Sequence, residues 1–272
     1  MLKLRVVSAV VLASLMAWAL FGWPRPAFAA FLAVFIFIGA WEWTALIGMR
    51  TLATRVGYVL LVGATGVYFI LDATWIQELL VVAVAFWAWV LVELLAWRDL
   101  RAGILPTRPV QLLTGFLILL PAWLVPLLLR DEPNGKWLTI FLMMIVWGAD
   151  SGAYFAGHRF GKHKLAPHVS PGKTWEGVAG GLVTVLLLAL VAGTMLWNFH
   201  GTTLMFWTVL ALTTALVSVL GDLFESRVKR NAGVKDSGTL IPGHGGVLDR
   251  IDAFTAAAPF FALVWLLWKP VS

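Results

Sequence analysis

Residues 221–252 read GDLFESRVKRNAGVKDSGTLIPGHGGVLDRID, and they carry charge that the rest of the chain avoids. Only 12% of the protein is Asp, Glu, Lys or Arg, yet Asp222, Glu225, Arg227, Lys229, Arg230, Lys235, Asp236, Asp249, Arg250 and Asp252 all fall here. Asp222 and Ser226 are four residues apart and Asp249 and Asp252 three apart, so each pair shares one face if its segment is helical. Carboxylate oxygens, with no Cys in the chain and no His cluster, suit Mg²⁺, Mn²⁺ or Ca²⁺ better than zinc. Spacing leaves a second reading open, in which the acids form interfacial ion pairs with Arg227, Lys229, Arg230 or Arg250. Lys229, Arg230, Lys235 and Arg250 are also interleaved with the PGHGG run at 242–246. Glycines let backbone amides approach an anion closely, and Lys and Arg neutralise phosphate. Metal-binding acids beside phosphate-binding bases imply a polyphosphate, while His244 alone reads as a hydrogen-bonding turn residue.

A second polar stretch, SPGKTWEG at 170–177, contains Gly-Lys-Thr. A phosphate-binding P-loop needs a further Gly five residues before Gly172, where this chain has Pro167, so that reading fails. Ser170-Pro171 instead reads as the cap and first turn of a helix, with Lys173 at the same membrane interface as the acids.

The elements that must position these groups are membrane spans. A mean hydropathy of +0.89 and 61% hydrophobic residues lie outside the range of soluble domains. Nine segments are long and apolar enough to cross a bilayer: 5–22, 27–47, 56–72, 77–96, 110–129, 137–157, 176–197, 203–222 and 251–268. Trp23, Trp75, Trp97, Trp137, Trp175, Trp197 and Trp268 stand near their ends, as interfacial aromatic rings do. The expected fold is an all-α polytopic bundle of about nine transmembrane helices forming one membrane domain, 1–272. Residues 1–136 are its scaffold, and 137–272 carry the chemistry on cytoplasmic loops 158–176 and 223–250. Of the 20 Lys and Arg residues, all but Arg25, Arg130, Lys136 and Lys269 fall on one side. That bias places the N-terminus and the charged stretch in the cytoplasm of an inner-membrane protein and the C-terminus outside. It also explains the net charge of +6 without any nucleic-acid partner. An alternative reading of the start is a signal peptide cleaved after Ala27-Phe28-Ala29. Gly177 and Gly181 form a G-x-x-x-G expected to pack against another helix.

Intramembrane acids are functional candidates by default. Glu42, Glu93 and Asp150 fall in the cytoplasmic halves of their spans, and Glu176, Asp222, Asp249 and Asp252 at cytoplasmic ends. A transporter places its site near the bilayer midplane. Acids crowded at one interface instead fit an enzyme that joins a lipid headgroup to a soluble co-substrate.

The pattern Ser226-x-x-Lys229-Arg230, Lys235-Asp236, Pro242-Gly243-His244-Gly245-Gly246 and Asp249-Arg250-x-Asp252 resembles the signature of the phosphatidate cytidylyltransferase, or CDP-diacylglycerol synthase, family. Residues 150–177, DSGAYFAGHRFGKHKLAPHVSPGKTWEG, resemble its other shared block. The resemblance implies transfer of the cytidylyl group of CTP to phosphatidate with Mg²⁺, or Mn²⁺ in its place, releasing pyrophosphate. In that setting Asp222 and Asp249 are expected to hold the metal, with Asp252 and Asp150 supporting. Lys229, Arg230 and Lys235 would hold phosphate groups and Arg250 would orient the acids. Lys173, Ser226, His244, Gly245 and Gly246 complete the expected substrate contacts. The partners implied are CTP, phosphatidate and membrane lipid, and a bundle this small is compatible with a homodimer. Two other readings remain at this point: a CTP-dependent polyprenol kinase transferring the γ-phosphoryl group, and a cation-coupled transporter using Asp150.

Overall fold

The computed structural model describes residues 2–96, 105–240 and 245–268. Among the described residues nine helices run in chain order as α1 (Leu2–Gly22), α2 (Arg25–Leu46), α3 (Leu52–Leu71), α4 (Ile76–Ala96), α5 (Arg108–Arg130), α6 (Gly135–Phe160), α7 (Trp175–Met195), α8 (Gly201–Asn231) and α9 (Leu248–Trp268). Eight of these, α2 to α9, are long and apolar enough to cross a membrane, and α1 contributes an apolar helical stretch at Val10–Gly22. The expected polytopic α-bundle is therefore the fold. Ala27 to Ala29 lie in the first turns of α2, where Phe28 and Ala29 are buried.

Between α6 and α7 the chain forms one small antiparallel hairpin, β1 (Lys164–Ala166) with β2 (Ser170–Thr174). This corrects two expectations. The 158–176 segment is a hairpin rather than a plain loop, and the cap of α7 is Thr174, not Ser170, which opens β2. Thr174 is extended, and its hydroxyl accepts the Gly177 amide at 3.1 Å. Pro171 sits in the strand of a two-stranded ribbon, where an edge position tolerates its missing N–H.

The expected loop 223–250 is also corrected, because α8 continues to Asn231 and the loop begins only at Ala232. Residues 222–231 contain neither Gly nor Pro, so nothing halts the helix at the edge of the apolar span. It ends where Gly233, with φ of +73°, donates to the Arg230 carbonyl and Val234 donates to that of Lys229. That is a Schellman closure, which uses glycine's access to the left-handed region.

Two apolar cores share α4, α5, α8 and α9: one adds α1 to α3, the other α6 and α7. Three buried indoles find carbonyl acceptors, Trp87 at Thr255, Trp123 at Ala29 and Trp207 at Ala189, whereas Trp265 Nε1 meets no acceptor among the described residues. The G-x-x-x-G of α7 packs as expected. A Cβ on Gly181 would lie 2.7 Å from the Ala149 carbonyl oxygen of α6, and one on Gly177 would lie 3.0 Å from that of Ala153. The closest helix pairs are α6 with α7 and α8 with α9, the latter crossing at Gly221, where a Cβ would run into the Asp252 carbonyl. Close crossing at Gly221 sets Asp222 beside the first turns of α9.

Gly181→Val should therefore push α7 off α6. The expected loss is about 1–3 kcal/mol, as for overpacked cores, read as a lower Tm of the detergent-purified protein. A Tm equal to that of wild type would show that the α6–α7 contact has room to spare.

Candidate active site

At one end of the bundle the C-terminal parts of α2, α6 and α8 meet the N-terminal turns of α7 and α9, and the acids collect there. Three amides at the entry to α9, two just before it and one at its first residue, lack helical partners. Val247 donates to Glu42 Oε1 at 3.0 Å, Leu248 to Glu42 Oε2 at 2.7 Å, and Gly246 to Asp249 Oδ2 at 2.8 Å. Negative charge at a helix N-terminus is favoured by the helix dipole as well as by these hydrogen bonds.

Asp249 is the most heavily engaged group. Its Oδ2 accepts the Gly246 amide, the Ser237 amide at 2.8 Å and the Ser237 hydroxyl at 2.9 Å, and its Oδ1 meets Lys229 Nζ at 2.5 Å. The same Nζ lies 3.1 Å from Glu225 Oε1, one turn back on α8. All three side chains are at least nine-tenths buried. A buried lysine between two buried carboxylates is held by coulombic attraction that little water screens.

A second pair lies beside it. Lys173, carried by β2, reaches Asp222 Oδ2 at 2.6 Å, while Asp222 Oδ1 accepts the Ser226 hydroxyl at 3.2 Å. This pair is about one-quarter exposed and so is open to a solute. Asp252 is in electrostatic range of Asp222, Lys229 and Asp150, and Asp150 of Asp222, Lys173 and Arg250. Asp150, Asp249, Arg250 and Asp252 line a cavity of about 500 Å³. Its remaining walls are largely apolar, with Met16, Phe35, Ile36, Ala122, Met143 and Phe254 among them.

The structure thus gathers Lys173, Asp222, Ser226, Lys229, Asp249, Arg250, Asp252 and Asp150 at one place. Arg230 and Lys235 are exposed near the end of α8 and in the following loop, with no side-chain partner among the described residues. His244 lies outside the described residues, as do Pro242 and Gly243. Gly245 and Gly246 do have a visible purpose. Gly245 has φ of +80°, and a Cβ there would lie 2.6 Å from Asp249 Oδ2; one on Gly246 would lie 2.5 Å from Glu42 Oε1. These glycines admit carboxylates against the backbone, where the sequence pattern had been read as admitting an anionic ligand. Of the two readings of the acids taken from spacing, the ion pairs are present, in Lys229 with Glu225 and Asp249.

Three residues at this end were not among the expected site residues: Glu225, Ser237 and Glu42. Glu225 lies inside the charged stretch, and its i,i+4 relation to Lys229 is a signal readable in the sequence. Glu42 was conspicuous as an intramembrane acid, but nothing in the sequence tied it to residues some 205 positions away. Glu93 has a structural partner in range, the buried Arg227.

Carboxylate oxygens are the donors that hard divalent cations prefer. Among the described residues no group of three or more Asp, Glu or His side chains is placed to hold a metal ion by itself. Mg²⁺ does not require one, because it commonly takes one or two carboxylates and fills its octahedron with water and substrate phosphates.

Removing the cation of the buried cluster tests its energetics. Lys229→Met leaves Glu225 and Asp249 as uncompensated neighbours and should cost about 3–5 kcal/mol, seen as a large drop in Tm. Adding Glu225→Gln should recover part of that loss, and no recovery in the double variant would show that Glu225 is not coupled to Lys229.

Residues 3–268 match the model of the Cytidylyltransferase family. A phosphatidate cytidylyltransferase of Pseudomonas aeruginosa is 43% identical over 268 residues, covering 98% of this chain and 97% of its own. One of Haemophilus influenzae is 41% identical over 287 residues, covering 96% and 98%. One of Bacillus subtilis is 44% identical over 141 residues, covering 51% of each chain.

Proposed function

The chain belongs to the Cytidylyltransferase family, and from that membership and the geometry of its charged end we propose that it transfers the cytidylyl group of CTP to phosphatidate, giving CDP-diacylglycerol and pyrophosphate. The observation that carries the reading is the cavity of about 500 Å³, whose lining is largely apolar but includes Arg250 with Asp150, Asp249 and Asp252. An amphiphile with an anionic headgroup fits such a lining, since acyl chains lie against the apolar wall and the phosphate meets the polar groups. The relatives named above carry the corresponding substrate in their names.

The chemistry asks little of a general base. The phosphate of phosphatidate is already an anionic nucleophile near neutral pH, and its oxygen attacks the α-phosphorus of CTP as the bond to pyrophosphate breaks. Repulsion between two anions is the main obstacle, so positioning and charge neutralisation dominate catalysis. Lys173 and Lys229 are held against Asp222 and Asp249, at the place where phosphate oxygens arrive. Arg230 and Lys235 stand exposed on the approach, suited to the triphosphate, and Arg250 lines the cavity, suited to the lipid phosphate. Asp222 and Asp249 are the residues proposed to hold Mg²⁺, with Asp150 and Asp252 alongside. When bound, Mg²⁺ neutralises the triphosphate and draws charge from the leaving pyrophosphate. The distribution of Lys and Arg supports an inner-membrane protein whose site faces the cytoplasm, where CTP is found.

Purified protein given phosphatidate, Mg²⁺ and CTP labelled separately at the α- and γ-positions should place only the α-label in the lipid. Entry of the γ-label instead would make it a lipid kinase and refute the proposal. A chelator should abolish transfer and added Mg²⁺ restore it. Asp222→Asn should lower kcat on the order of 10²-fold, and near-normal turnover by this variant would remove Asp222 from the site.

A further inference from the structure

The half of the chain that precedes α6 was expected to serve only as scaffold, yet one of its side chains is built into the charged end. Glu42, near the end of α2, is 5% exposed. Its two oxygens accept the Val247 amide at 3.0 Å and the Leu248 amide at 2.7 Å, from elements far away in sequence, and its Oε2 shares with Asp249 Oδ2 the single proton of the Ser237 hydroxyl, 3.1 Å away. Ser237 is itself buried, and its hydroxyl lies between Glu42 Oε2 and Asp249 Oδ2, 2.9 Å from the latter. The backbone has been cleared for this arrangement. A Cβ on Gly238 or on Gly246 would lie 2.5 Å from Glu42 Oε1. A carboxylate that only filled space would require none of these concessions.

We propose that Glu42 and Ser237 are positioning residues for the reaction, fixing the first turn of α9 on α2 and so setting the carboxylate of Asp249. The proposal rests on the reading of the site given above. Neither residue touches the reacting atoms; both act through Asp249 and through the α9 turn that also bears Arg250 and Asp252. The donor count makes the carboxylate specific. All three of its partners are donors, so an amide of the same shape would turn its own NH₂ toward an N–H or O–H. Glu42→Gln is therefore a nearly isosteric change that a packing role tolerates and a positioning role does not.

The test has two independent readouts. In protein without substrate or metal, hydrogen exchange of peptides covering 237–250 should accelerate in Glu42→Gln, while peptides from α6 and α7 exchange as in wild type. In the assay with labelled CTP and phosphatidate, kcat should fall on the order of 10- to 100-fold, the range expected of misplaced catalytic groups, with KM for either substrate within about threefold. Ser237→Ala, which introduces no donor clash, should move both readouts in the same direction by less. It also keeps the question open to test should Glu42→Gln fail to fold. Unchanged exchange at 237–250, or a folded Glu42→Gln variant with wild-type kcat, would overturn the proposal. If wild type transferred no α-label while exchange still accelerated in Glu42→Gln, the brace would stand as structure and the functional reading would be what had failed.

Discussion

The carboxylate of Asp249 ties together more separate pieces of chain than any other described group at this end. It accepts from the backbone and hydroxyl of Ser237 in the loop after α8, from the Gly246 amide ahead of α9, and from Lys229 on α8. Each contact answers the same physical demand. Charge and backbone polarity at the end of an apolar bundle must be satisfied internally, because a lipid-facing surface offers no partners. The neighbouring groups follow from that demand: Lys229 requires Glu225 as well, and the unpaired amides of α9 require Glu42.

Helix approach makes the cluster possible. Gly221 lets α8 come against the Asp252 carbonyl, and the glycines of α7 let that helix settle on α6. Had bulkier residues stood there, Asp222 would be held away from Asp252 and Asp150, and Lys173 on the short hairpin could not span to Asp222. Apolar packing over most of the bundle thus decides distances among a few polar atoms at one end. Those atoms in turn face both a solvent-accessible pair, Lys173 with Asp222, and a largely apolar cavity, the two environments that a soluble nucleotide and a lipid require.

The N-terminal helices also reach the charged end of the bundle. α2 supplies Glu42 to the cap of α9, and α1, α2 and α5 supply much of the cavity wall through Met16, Phe35, Ile36 and Ala122. α4 brings Glu93 within range of the buried Arg227 of α8.

By itself the sequence determined the polytopic helical class, bounds close to those of the helices apart from the C-terminal end of α8, and the crowding of Asp222, Lys229, Asp249 and Asp252 into one charged stretch. Apolar length and charge clustering are local properties, and a long contiguous pattern preserves them. Tertiary structure alone decided that Thr174 rather than Ser170 caps α7 and that Lys173 answers Asp222. It also decided that Gly245 and Gly246 accommodate the carboxylates of Asp249 and Glu42. These outcomes depend on which helices approach and how closely, a property of side-chain volumes on facing surfaces that are distant in sequence. Glu42 shows the limit most clearly: its cost in the membrane marked it as unusual, but only the folded chain brings it the three donors that offset that cost.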